Sequence, residues 1–127
     1  LGLSSAASDV YKRQIFIDQI MVIGDGKKFP AGIIQPNFDA LKNWAEKNGH
    51  ELPKENSDII KSKEILNIIS NEIDLINSKF GSWEMLKDYR LTADIWSVDQ
   101  GHLTPTMKLK RSSILEKYRE IFESIYS

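Results

Sequence analysis

The chain has no cysteine, two histidines and four prolines in its 127 residues, and no long apolar run. Without cysteine there is no disulfide, no thiolate metal ligand and no cysteine nucleophile. His50 and His102 stand far apart without a ligand-like spacing, so neither a zinc site nor any other metal site is expected. No stretch approaches the roughly 20 apolar residues that span a bilayer. Charge of one sign is equally scarce: Lys and Arg total 17 against 18 Asp and Glu, for a net charge of −1 and a pI near 6.2. Such a balance gives no bulk attraction for nucleic acid, and no nucleic-acid partner is expected. What is present is 41% hydrophobic residues in a chain of single-domain length, enough for one core with about two layers of secondary structure.

The first fourteen residues, LGLSSAASDVYKRQ, are rich in small side chains and have neither the basic start nor the apolar centre of a secretory signal. SSAASDVYKRQ resembles a translated sequencing adaptor of the kind found at broken ends of proteins predicted from assembled environmental DNA. Residues 1–14 are therefore expected to be a non-native leader and are set aside from the fold; the other reading is a natural flexible tail. Residues 15–127 are expected to form the domain, and the chain is expected to be a fragment of a longer protein.

From Ile15 onward the pattern alternates between strands and helices. Apolar runs at 20–23 and 31–34 flank GDGKKFP, which predicts a hairpin. Gly24, Gly26 and Lys27 invite comparison with a phosphate loop, but the Gly-x-x-x-x-Gly-Lys-Ser/Thr spacing is absent and a strand follows where a helix should open. The next segment predicts a helix capped by Asn37, with Phe38, Leu41, Trp44 and Ala45 inward and Gly49 closing it. KENSD reads as a polar break. Ile65, Ile69, Ile73, Ile76 and Phe80 then recur every three to four residues, predicting a helix over 63–80 that stops at Gly81. Lys61, Lys63, Glu64, Glu72 and Asp74 are assigned to its solvated face. Tyr89, Leu91, Ile95, Trp96 and Val98 predict a strand running into a turn at 99–101. At the end, Ser113 and Glu116 have capping-box spacing, and Ile114, Leu115, Tyr118, Ile121, Phe122 and Ile125 make one apolar stripe. The fold class is α+β: a small β-sheet packed by helices.

The segment GHLTPTMKLKR, residues 101–111, carries the functional question. As a strand it places Leu103, Pro105, Met107 and Leu109 on one face and Thr104, Thr106, Lys108 and Lys110 on the other. The two ammonium groups would stand roughly 6 to 7 Å apart. Proline and lysine are common protectors of an edge strand. The sharper reading is that a lysine there meets a ligand.

Three ordered blocks, IDQIMVIGDGKKFPAGIIQPNFDALKNWA, NEIDLINSKFGSWEMLKDYRL and LTPTMKLKRSSILEKYREIFESIY, resemble the C-terminal domain of long-chain fatty acid CoA ligases, within the AMP-forming acyl-CoA synthetases. That adenylate-forming superfamily typically carries a Thr-x-x-Gly-Lys-type segment near its C-terminus, whose lysine reaches into the active site. TPTMKLKR is similar to it, which implies Lys108 as the catalytic lysine and puts Met107 where many relatives have glycine. Long-chain ligases are similar to this sequence in having a bulky residue there. Lys110 and Arg111 are assigned supporting or surface roles.

The resemblance implies the lid-type domain of an enzyme that uses ATP and Mg2+ to make an acyl-adenylate from a fatty acid and then passes the acyl group to CoA. The lid rotates between the two steps. The partner would be an N-terminal adenylation domain of the same parent chain, with the ATP-binding loop, acyl tunnel and hinge upstream of Ile15. The fragment alone should be inactive and hold no cofactor itself; its substrate-binding residues cannot be assigned. Localisation would be cytoplasmic, with possible peripheral membrane contact. Two alternatives remain open: a stand-alone α+β interaction module whose lysine face meets an acidic partner, and an adenylating ligase whose acceptor is a carrier protein.

Overall fold

A computed structural model describes residues 10–24, 26–79 and 86–127. Its organising element is a strand hidden on both sides. β2 (Ala31–Pro36) has all six residues buried and lies between β1 (Ile17–Ile23) and β3 (Asp88–Leu91) in the order β1-β2-β3. β1 pairs antiparallel through Ile20↔Ile34, Met21↔Ile33 and Val22↔Gly32, as the expected hairpin requires. The register shifts between Ile17 and Gln19. β3 runs parallel to β2 through Gly32↔Tyr89 and Ile33↔Arg90. A parallel neighbour needs a long crossover. Here it comprises α1 (Phe38–Lys47), α2 (Asn56–Ile59) and α3 (Lys63–Asn77).

Alternation along the strands sends side chains into two separate cores. Ile20, Val22 and Ile34 meet Phe38, Leu41, Ile59 and the α3 ladder of Ile65, Ile69, Ile73 and Ile76. Met21, Ile23, Ala31 and Ile33 meet Trp96, Leu103, Ile114, Tyr118, Phe122 and Ile125. The α+β class is as expected, but helices cover both faces of the sheet, so the simple two-layer packing is replaced by a core on each side. The uninterrupted apolar run of β2 is the sequence signature of such double coverage. Gly32 is needed at its centre: an added Cβ would lie 3.1 Å from the Met21 carbonyl oxygen and 3.3 Å from Leu86 Cδ1.

Several local expectations hold. Asn37 caps α1, its Oδ1 accepting the Ala40 N–H at 3.1 Å. Gly49, at φ 70°, ends that helix while the His50 N–H donates to the Ala45 carbonyl at 2.9 Å. α3 spans Lys63–Asn77 with the four isoleucines buried; the expected Phe80 and Gly81 lie outside the described residues.

Others are corrected. The break at KENSD contains α2, which puts Ile59 into the core. Trp44 is half-buried and stacks on His50 with ring centroids 5.0 Å apart, because it sits at the rim of the α1 face. Glu72 is partly buried and accepts the Phe16 N–H at 3.2 Å; burial raises its pKa above the usual value. The strand expected through 95–98 stops at Leu91, leaving Ile95 and Val98 exposed and Trp96 buried in an irregular segment. The single C-terminal helix is two, α4 (Arg111–Lys117) and α5 (Arg119–Tyr126), separated at Tyr118 by φ −107°, ψ 21°. Because α4 begins at Arg111, Ser113 lies inside it and no capping box forms. Tyr11, in the segment set aside from the fold, is fully buried and donates its hydroxyl proton to Asn77 Oδ1.

With an independent core on each face of β2, Ile33→Ala and Ile34→Ala should each cost about 2–5 kcal/mol of unfolding free energy. Urea denaturation of the two variants measures this, and a near-zero loss at either position would show that the corresponding face is not packed.

Candidate functional site

The segment that was expected to be a strand is instead a tight hairpin. Leu103 and Leu109 bridge antiparallel, the Lys110 N–H donates to the His102 carbonyl at 2.8 Å, and the Thr104 N–H donates to the Lys108 carbonyl at 2.8 Å. Between these arms the Met107 N–H donates to the Thr104 carbonyl at 2.7 Å, and Met107 takes φ 67°. Three loop residues with the last in the left-handed region form a standard bulged hairpin. Strict alternation is thereby lost: Leu103 is buried and Leu109 partly so, but Pro105 and Met107 are exposed. A left-handed backbone favours glycine at this position, since an L side chain there costs about 1–2 kcal/mol. Lys108 follows directly. Its side chain is exposed, and it has no ion-pair partner among the described residues.

The flanks of this hairpin are anchored at separate points. Leu103 inserts into the core beneath it with no exposure. Arg111, at the start of α4, donates from Nη2 to the Val22 carbonyl of β1 at 3.1 Å. Lys110 is exposed at the helix cap position. Lys108 and Lys110 are thus both exposed, while Arg111 is tied to β1.

Beneath the loop lies a polar cluster that sequence spacing did not bring together. Tyr118 occupies the break between α4 and α5; its hydroxyl donates to Asp94 Oδ2 at 2.7 Å, accepts from Trp96 Nε1 at 2.8 Å and lies 3.3 Å from Thr92 Oγ1. Burial pushes the Tyr118 pKa up to about 12, so it remains a donor at neutral pH. The hydrogen bond from Tyr118, and then Lys117 at 3.5 Å, hold the Asp94 carboxyl below its usual range. Lys117 Nζ also lies 3.2 Å from Nε2 of His102, whose Nδ1 is 3.3 Å from the Ser97 N–H. A neutral imidazole has one proton and accepts at only one of these nitrogens. Gln35 ties the same loop to the sheet: its Oε1 accepts the Trp96 N–H at 2.9 Å and its Nε2 donates to Asp18 at 2.8 Å.

Among the described residues, no three His, Cys, Asp or Glu side chains cluster to hold a metal ion. Nor does any described helix have the length and apolarity to cross a membrane.

No family model matches the chain. It is 34% identical over 122 residues to long-chain-fatty-acid–CoA ligase 6 of Rattus norvegicus, covering 94% of this chain and 17% of that protein. A long-chain-fatty-acid–CoA ligase of Mycobacterium tuberculosis is 27% identical over 119 residues, covering 94% of this chain and 20% of its own length. This chain is homologous to one segment of the long-chain-fatty-acid–CoA ligases. It spans a fifth or less of these relatives. The fold is that of part of an adenylation domain. The adenylation domain of a carboxylate reductase from Mycobacterium chelonae matches with TM-score 0.73 at 20% identity, over 96% of this chain and 17% of that one. An adenylation–carrier didomain from Segniliparus rugosus, solved in complex with AMP, matches with TM-score 0.72 at 18% identity, over 96% of this chain and 15% of that one.

Two outcomes follow from the loop geometry. Met107→Gly should relieve the left-handed strain at an exposed position and, after the added freedom of the unfolded chain, raise stability by up to about 1 kcal/mol. A lower urea midpoint for this variant would contradict the strain. The second concerns acid. Burial, and then Lys117, lower the His102 pKa from 6.5, while Asp94 opposes them. The unfolded chain therefore binds the His102 proton more readily, and this contribution to stability is complete above pH 6.5 and lost as pH falls through the folded pKa. Thermal unfolding between pH 7 and pH 5 should show falling stability, and His102→Gln should flatten that slope.

Proposed function

We propose that this chain is the small lysine-donating domain of an AMP-forming long-chain-fatty-acid–CoA ligase, with residues 15–127 as the parent's C-terminal domain and residues 1–14 as a leader from another source whose Tyr11 packs into the domain's core. The observation that carries the reading is Lys108: in a segment homologous to those ligases, its ammonium is exposed beside an anchored hairpin and is not neutralised by any described carboxylate. In the first step a fatty acid carboxylate oxygen bonds to the α-phosphorus of ATP, and the bond to pyrophosphate breaks. Negative groups crowd together, and an ammonium fixed between their oxygens stabilises that arrangement more than it does the separated substrates. A unit charge placed about 4 Å from the developing charge in a partly desolvated site is worth up to about three orders of magnitude in rate.

Acyl transfer to CoA needs no such cation on the phosphate, so the domain is free to turn away for the second step. CoA is favoured over a carrier protein as acceptor because the sequence relatives are CoA ligases, whereas the carrier-linked neighbour shares the fold alone. ATP, with Mg2+, would be held by the part of the parent outside this segment. The domain would work in the cytoplasm, with the parent at a membrane surface where its substrate partitions.

In the full-length parent, Lys108→Ala should lower fatty-acid-dependent pyrophosphate exchange by about 10³-fold and leave conversion of supplied acyl-adenylate to acyl-CoA intact. Equal loss in both half-reactions would reject the assignment.

A further inference from the structure

We infer that Thr104 is the positioning residue for Lys108, a role that rests on the adenylation reading above. The hairpin has three loop residues, and Thr104 takes part in each hydrogen bond that closes its tip. Its backbone carbonyl accepts the Met107 N–H at 2.7 Å, and its N–H donates to the Lys108 carbonyl at 2.8 Å. Its side chain adds what the backbone alone does not supply: Oγ1 accepts the Lys108 N–H at 3.1 Å. That hydroxyl also lies 3.0 Å from the hydroxyl of Thr106 on the loop itself. The residue opposite Lys108 thus closes a ring around it, using the lysine's own amide as one of the points held.

The need for such a clamp comes from Met107. A non-glycine residue at φ 67° is held in a sparsely populated state, and without restraint the chain relaxes toward negative φ. Rotation about Met107 swings the Cα–Cβ vector of the next residue, which is Lys108. A long, exposed side chain amplifies a small backbone rotation at its tip, and misplacing a catalytic group by about 1 Å can cost about 10²-fold in rate. Thr104 Oγ1 opposes that rotation by holding the amide between the strained residue and the lysine. Pro105, with its φ fixed at about −65°, restrains the other end of the same turn.

Thr104 is only partly buried and belongs to neither core cluster, so its hydroxyl is separable from overall folding. Thr104→Val keeps the shape and removes the acceptor; Thr104→Ser keeps the acceptor and removes a methyl group. In the full-length parent, Thr104→Val should lower kcat for fatty-acid-dependent pyrophosphate exchange by about 10- to 100-fold with KM for ATP and fatty acid unchanged, and Thr104→Ser should restore it. In the 127-residue chain, hydrogen exchange of the Lys108 amide should quicken in the valine variant and recover in the serine variant, while amides of β1 and β2 keep their protection.

Wild-type kcat in Thr104→Val, or failure of serine to rescue, would overturn the inference. So would a uniform loss of protection across the sheet, which would make Thr104 a general stabiliser. Lys108→Ala in parallel separates the two levels: full exchange activity in that variant defeats the adenylation reading itself, whereas its loss alongside normal Thr104→Val defeats only the positioning role.

Discussion

Everything in this domain depends on the burial of β2 from both sides. A six-residue strand with no exposed face cannot be satisfied by one helical layer, so the chain must supply apolar cover twice. It does so in sequence order. The crossover α1–α3 covers one face on the way from β2 to its parallel neighbour β3, and the segment after β3 returns across the other face. The second cover is much less regular than the first, and that irregular stretch carries the hairpin with Lys108.

Burial alone would leave such a stretch poorly defined, because apolar contacts have little directional preference. Direction comes from polar side chains planted at the edges of the second core. Gln35, nearly fully buried in β2, reaches both Asp18 on β1 and the backbone of Trp96. Tyr118 gathers Trp96, Asp94 and Thr92 around one hydroxyl. Arg111 clasps the β1 backbone from the far end of the loop. A buried polar group that loses its partner costs about 1–3 kcal/mol, so these contacts select one path for the loop among many that would bury the same apolar area. The break at Tyr118 belongs to this arrangement: α4 and α5 each pack an apolar face on the sheet, and the hydroxyl between them reaches the loop.

How much of this could be read beforehand differs between the two faces. The first face is built from local signals with local consequences: the Asn37 cap, Gly49 at a helix end, and four isoleucines spaced at three to four residues. Such signals act within a turn or two of chain and are legible as pattern. The second face depends on contacts between residues far apart in sequence, such as Gln35 with Trp96 at a separation of 61 and Arg111 with Val22 at 89. No periodicity encodes these. Met107 is the sharpest case, because a side-chain alternation of period two runs straight through a position where the backbone reverses. The resemblance singled out Lys108, but its residue pattern alone gave the wrong local geometry around it.

The same division explains how an exposed lysine can sit on the less regular face. A lysine acting as proposed, entering another surface and then withdrawing, cannot be buried at home, where it would need a partner of opposite charge that it must leave. It must be exposed, yet fixed well enough to arrive in place. A hairpin meets both demands when its root is buried and its tip is restrained from within: Leu103 supplies the root, and Thr104 and Met107 shape the tip. Rigid cover on the first face and a pinned, polar-directed loop on the second are thus one solution. The sheet supplies the immobile frame, and the loop projects its charge away from it.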